Sequence, residues 1–180
     1  MKKLTALVLV LMMALSVAAM AEQPTIETVN WDDVTATEGI DMLVANGQFY
    51  GLETLGLKIW IPNGLTQVES VTPYLFSDEE GTSGVSVFIE DAPEGLDPMD
   101  PEALYAYIKD IVGGMEAAPS VVNGIFAVAY KLGDEAEPQL CLTYGANGGK
   151  LIHFVLEGVD MSNQIETAGA MLIMASISEI

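Results

Sequence analysis

Leu140 to Leu156 reads LCLTYGANGGKLIHFVL, and this stretch decides the fold. Asn147-Gly148-Gly149 supplies residues that tolerate positive φ between two runs of strand-forming side chains. The pattern predicts an antiparallel hairpin of Leu140–Tyr144 with Leu151–Leu156. Leu151-Ile152-His153-Phe154-Val155-Leu156 is apolar on both faces, whereas a sheet with one wet face alternates more cleanly. Something must therefore cover both sides of this sheet.

Working upstream, Asn123-Gly124 repeats the turn device between Val121-Val122 and Ile125-Phe126, so the forty residues ahead of the C-terminal segment read as an antiparallel meander. Leu57, Ile59 and Ile61 alternate with Lys58 and Trp60 before Pro62-Asn63-Gly64 breaks the run, which predicts a strand and a turn. Val71–Ser77 reads as a second strand. Val85, Val87 and Ile89 alternate with Ser86, Phe88 and Glu90 in a third. The covers are helical. Asp100 caps a helix with Pro101 at its first position, Leu104, Ile108, Ile111 and Val112 as its buried stripe, and Gly113-Gly114 at its end. Met161, Ile165, Ala168, Leu172 and Ala175 fall at helical spacing near the C-terminus, with Asp160 or Ser162 as cap.

The beginning of the chain is different. Lys2-Lys3, an apolar run from Leu4 to Val17, and Ala19-Met20-Ala21 before Glu22 predict a secretory signal at residues 1–21, cleaved after Ala21. The run is too short for a comfortable membrane span, so no stable membrane insertion is expected after cleavage. Residues 22–46 read as an N-terminal extension: a tail from Glu22 to Val29, then a possible short helix in which Thr35-Ala36-Thr37-Glu38 resembles a capping box. No repeat, low-complexity tract or long linker divides residues 22–180, and residues 47–180 read as a single α+β domain.

Composition narrows the partners. The 180 residues carry 26 acidic and six basic side chains, all six lysine, for a net charge of −20. A phosphate backbone meets repulsion from such a surface, so nucleic acid is excluded and a neutral or cationic partner is expected. The 51% apolar fraction is too high for a disordered acidic tail. Export predicts an extracytoplasmic protein, yet Cys141 is the sole cysteine and cannot form an intramolecular disulfide.

Motifs for chemistry are sparse. Gly145-Ala146-Asn147-Gly148-Gly149-Lys150 resembles a phosphate loop, but Tyr144 replaces its first glycine and Leu151 stands where Ser or Thr would hold magnesium. Cys141 and His153 form the one thiolate–imidazole pair worth testing. A two-residue Asn147-Gly148 turn pairs Cys141 with Phe154 and Leu142 with His153, placing thiol and imidazole on opposite faces; a one-residue slip reunites them. Asp91, Glu94 and Asp97 crowd the approach to the capped helix and are candidates for weak calcium binding. Trp60, Tyr105 and Lys109 are candidates for an exposed partner surface, with Tyr105 and Lys109 on one helical face.

Leu57-Lys58-Ile59-Trp60-Ile61-Pro62, the Val122-Asn123-Gly124-Ile125 hairpin and the closing Ala175-Ser176-Ile177 carry a resemblance to the PsbP-like fold and to small exported bacterial proteins of unassigned function. It covers roughly residues 47–180. The resemblance implies a docking or assembly module and brings no catalytic or ligand motif with it. The expectation is an α+β fold, a single antiparallel β-sheet flanked by helices on both faces in an α/β/α sandwich. It is expected to be secreted and non-enzymatic, to need no cofactor, and to bind an as yet unknown protein or a neutral or cationic polymer. The alternatives are an acid-based hydrolase of an extracellular or cell-wall polymer and a weak calcium-binding module.

Overall fold

The computed structural model describes residues 25–70, 72–113, 117–133 and 138–180. The expected signal at 1–21, Val71 and Gly114 lie outside the described residues. A long sheet contains the deciding hairpin: β9 (Gln139–Ala146) and β10 (Lys150–Glu157) are its central strands. β7 (Ala117–Val122) and β8 (Ile125–Leu132) extend it on one side, and β6 (Gly84–Asp91), β5 (Tyr74–Ser77) and β4 (Thr66–Gln67) on the other. These contacts are antiparallel, as the meander predicts.

Two features depart from a single antiparallel sheet. Residues Glu27–Val29, which read as tail, form β1 and pair in parallel with β7, so the eight-stranded sheet is mixed. Separately, β2 (Gly47–Leu52) and β11 (Ser178–Glu179) flank β3 (Leu57–Pro62) in a second, three-stranded sheet. The β1–β7 and β11–β3 pairings join distant segments, which local patterning does not encode, whereas β2 and β3 form a local hairpin that stays apart from the main sheet.

Both faces of the main sheet are covered. Leu140, Leu142 and Tyr144 of β9 and Ile152, Phe154 and Leu156 of β10 point to one face. There they share a core with α4 (Gln164–Ser176) and with Ile59 and Ile61 of the small sheet. Cys141 and Leu151 point to the other face, where Leu104 and Ile108 of α3 (Pro101–Ile111), with Val112 at its C-terminal end, close the second core. Asp100 caps α3 as expected, accepting from the Glu102 and Ala103 amides at 3.0 and 3.4 Å. Ile111 does not join the stripe: it is exposed, the burial running through Val112 instead. In α4 the cap is Asn163, accepting from the Ile165 amide at 3.0 Å, and Ile165 too faces solvent. Near the N-terminus, α1 (Trp31–Thr35) ends at the first residue of the expected capping box, and α2 (Asp41–Val44) follows.

Asn123 ties these layers together. Its φ of 46° suits the hairpin turn, and its side chain is free to do more than close it. Its amide nitrogen donates to the Ala175 and Ile177 carbonyls, each at 2.8 Å, at the end of α4. Its amide oxygen accepts from the Trp31 backbone N–H at 2.7 Å, and its own N–H donates to the Val29 carbonyl at 2.8 Å. One residue thus joins β1, α1, the β7–β8 hairpin and the exit of α4. Gly145 fixes a second junction, since a Cβ there would overlap the Pro98 carbonyl.

Asn123→Asp keeps the turn conformer and the acceptor for Trp31 but replaces both donations with a carboxylate against two carbonyls. The expected cost is about 3 kcal/mol, a fall in Tm of about 6–12 °C, read by thermal and urea unfolding. Asn123→Asp unfolding at the wild-type midpoint would contradict the assignment.

Candidate functional site

The β9–β10 turn spans three residues, Asn147 to Gly149, because Ala146 pairs with Lys150. That moves the register by one from the two-residue expectation. His153 therefore stands opposite Thr143, and Cys141 opposite Val155. Thiol and imidazole share a face after all, the correction following directly from the extra turn residue. They do not pair as nucleophile and base. The hydroxyl of Thr143 takes the imidazole Nδ1, at 2.8 Å, and also meets the Tyr130 hydroxyl at 3.0 Å. The other ring nitrogen, Nε2, lies 3.2 Å from Glu90 on β6.

Glu90, His153, Thr143 and Tyr130 form a chain of hydrogen bonds across four strands. An acid, an imidazole and a hydroxyl in sequence have the connectivity of a nucleophilic triad. Access decides what this chain can do. Thr143 is fully buried, with Tyr130 behind it, so its oxygen has no approach for a substrate carbonyl. Burial holds the imidazole below its ordinary value of 6.5, against the opposing pull of Glu90. Burial also pushes the Cys141 thiol up to about 12 and the Tyr130 phenol up to about 12, so both stay protonated near neutral pH. On α3, Tyr107, which packs against the second core, is raised first by burial and then by the charge of Glu90.

The other candidates fall into separate places. Trp60 is 3% exposed, with its indole N–H donated to the Val44 carbonyl at 3.2 Å, so it is no surface residue. The packing of α1 and α2 over β2 and β3 buries it, and Phe49 across the strand is what reaches solvent, its ring 5.3 Å from Trp31. Tyr105 and Lys109 do lie together, the ammonium 5.7 Å from the ring centre. Asp91 pairs with Lys150 at 2.5 Å, Asp97 accepts from the Met99 amide at 3.0 Å, and Glu94 stands exposed. Among the described residues no three metal-ligating side chains converge.

Sequence reading missed a groove beside α4. It has a volume of 350 Å³ and runs between the helix and the segment joining β3 to β4. Trp60, Ile173 and Leu65 line it, and Asp78, Glu157 and Glu166 stand among its lining residues. The available signal was Gly169, a glycine in a helix interior. A second crevice of 390 Å³ lies between the two sheets, with Tyr144 in its wall. The Tyr144 hydroxyl is a buried polar atom without a hydrogen-bond partner among the described residues.

No protein-family model and no curated protein sequence matches the chain. Among solved structures, the cyanobacterial PsbP of Synechocystis superposes with a TM-score of 0.50 at 19% identity, over 76% of this chain and 94% of that one. A protein of Bacteroides thetaiotaomicron superposes with a TM-score of 0.47 at 13% identity, over 75% of this chain and 49% of its own. The fold is PsbP-like, and at these identities the likeness concerns the fold alone. No helix among the described residues is long and apolar enough to cross a membrane.

Because the imidazole is held neutral by burial, the unfolded chain binds a proton below pH 6.5 that the folded chain does not. Stability attributable to His153 is therefore lost as pH falls through that value. His153→Gln removes this term, so the stability gap between wild type and variant narrows from about pH 7.5 to about pH 5.5 in urea unfolding. A gap that widens on acidification would show a histidine stabilised in its charged form.

Proposed function

We propose that this chain is a non-enzymatic, extracytoplasmic interaction or assembly domain whose acidic coat selects cationic or neutral partners. The observation that carries this reading is the charge balance. With 26 carboxylates and six lysines, no more than six acids can be paired one to one. The rest form a field that repels anionic surfaces and steers cationic ones. The lysine-rich, apolar character of the first residues supports the extracytoplasmic part.

The buried Thr143 hydroxyl supports a binding role over nucleophilic hydrolysis. Carboxylate chemistry has little to draw on either. Hydrogen bonds from Thr82 hold Asp78 below the ordinary carboxylate range, and bonds from Ser162 do the same for Asp160. A general acid needs the opposite shift. The PsbP-like fold is compatible with docking, as an analogy.

Carbodiimide coupling, which joins carboxylates directly to amines, tests the reading in the extracytoplasmic fraction. Cross-links from this chain's Asp and Glu to partner lysines are expected, with affinity for the purified partner falling about tenfold or more between low and high salt. Partners bound through acidic segments with no salt dependence, or turnover of a wall polymer abolished by Glu90→Gln, would overturn it.

A further inference from the structure

The groove beside α4 has features that the fold itself does not explain. Gly169 sits inside α4, and glycine is the least favourable helix residue after proline. A glycine in a helix is usually kept because a neighbouring backbone leaves no room for a Cβ. Here a Cβ would meet nothing within 4 Å. The space it would occupy belongs to the groove. One turn earlier, Ile165 also lines the groove and is 63% exposed, a large apolar side chain that the core does not take. The groove is therefore apolar, open, and left unfilled by a residue type that the helix alone would disfavour.

Its charge is one-sided. Asp78, Glu157 and Glu166 line it, and among its described lining residues there is no Lys or His. These carboxylates are held in position. Asp78 accepts from the Thr82 amide and hydroxyl, both at 2.8 Å, and from the Ser83 amide at 3.2 Å. Glu166 accepts from the Asp160 amide at 3.0 Å and the Asn163 side chain at 2.7 Å, and Glu157 from Gln139 at 2.5 Å. Hydrogen-bond donors fix their geometry without neutralising them. Carboxylates already ordered lose little conformational freedom when a cation arrives.

We infer that this groove is a docking site for a partner segment in which an apolar side chain is flanked by lysines or arginines. The apolar side chain lies over Gly169 between Ile165 and Leu65, and the flanking cations meet Asp78, Glu157 and Glu166. The inference deepens the reading of the chain as an acidic interaction domain and rests on it. Charge complementarity selects the occupant, and the missing Cβ makes room for its anchor.

The test uses the whole chain and an acetylated, amidated Lys-Lys-Leu-Lys-Lys peptide, followed by tryptophan fluorescence and by the amide NMR shifts of the groove residues. Two further peptides serve as comparisons, one with Gly for Leu and one with Glu for every Lys. Gly169→Leu fills the groove while improving helix propensity. Its Tm should rise by about 2–4 °C while affinity for the Leu peptide falls about tenfold or more. Gly169→Ala should show the same rise in Tm with a smaller loss, and Ile165→Ser should weaken binding without changing Tm. The Glu peptide should not bind, and the Gly peptide should bind about tenfold more weakly than the Leu peptide. Equal affinity for the Leu and Gly peptides, unaffected by Gly169→Leu, would overturn the groove while leaving the acidic interaction domain standing. No binding of any lysine peptide would overturn both.

Discussion

A sheet whose central strands are apolar on both faces exists in water only if both faces are covered, and the architecture follows from that constraint. Leu142, Tyr144, Ile152 and Phe154 require one cover; Cys141 and Leu151 require another. α3, cut to length by Asp100 and Pro101 at one end and Gly113 at the other, covers one side. α4 is too short to cover the remaining face by itself, and the β2–β3–β11 sheet lies beside it over the same core. Each fully buried Leu, Ile or Phe contributes about 1.5–3 kcal/mol, which explains how a chain without a disulfide holds its shape. The cover on the α4 side must also stay in place relative to the strands, and Asn123 ties the end of α4, β1 and the start of α1 to the β7–β8 hairpin through four hydrogen bonds.

Filling two cores leaves a particular kind of surface. His153 shows how a polar residue is accommodated in an apolar strand: Thr143 and Glu90 satisfy both of its ring nitrogens. The same bonds that make it resemble a catalytic base seal its hydroxyl partner under the sheet. On the outside the charge is strongly negative, and apolar side chains reach the surface at several separate places, among them Met42, Phe49, Met99 and Ile165 beside the groove.

Elements written in local chemistry are legible in the amino-acid sequence alone. Asn123-Gly124 announces one hairpin, Asn147-Gly148-Gly149 another, and Asp100-Pro101 a helix start, because turns and caps depend on residues a few positions apart. Details that depend on distant contacts are not. Three residues at Glu27–Val29 are too few to show a strand pattern, and their partner β7 lies far along the chain. Two or three residues fit the β9–β10 turn equally well by local pattern, and that single residue decides which face His153 shares. Trp60 on an alternating strand reads as half exposed, because nothing local says that α1 and α2 fold back over it. Gly169 is visible only as a weakness in a helix; its meaning requires knowing that the space beside it is empty.

The central claim is that the strands, the end of α4 and the N-terminal segment form one cooperative unit joined at Asn123. Native-state amide exchange measures this directly. The account predicts that the Trp31 amide, the last turn of α4 and the amides of β8 to β10 exchange through one opening with a common free energy and a common denaturant dependence. Exchange of Trp31 and the end of α4 through a separate low-energy opening, with β8 to β10 still protected, would contradict it.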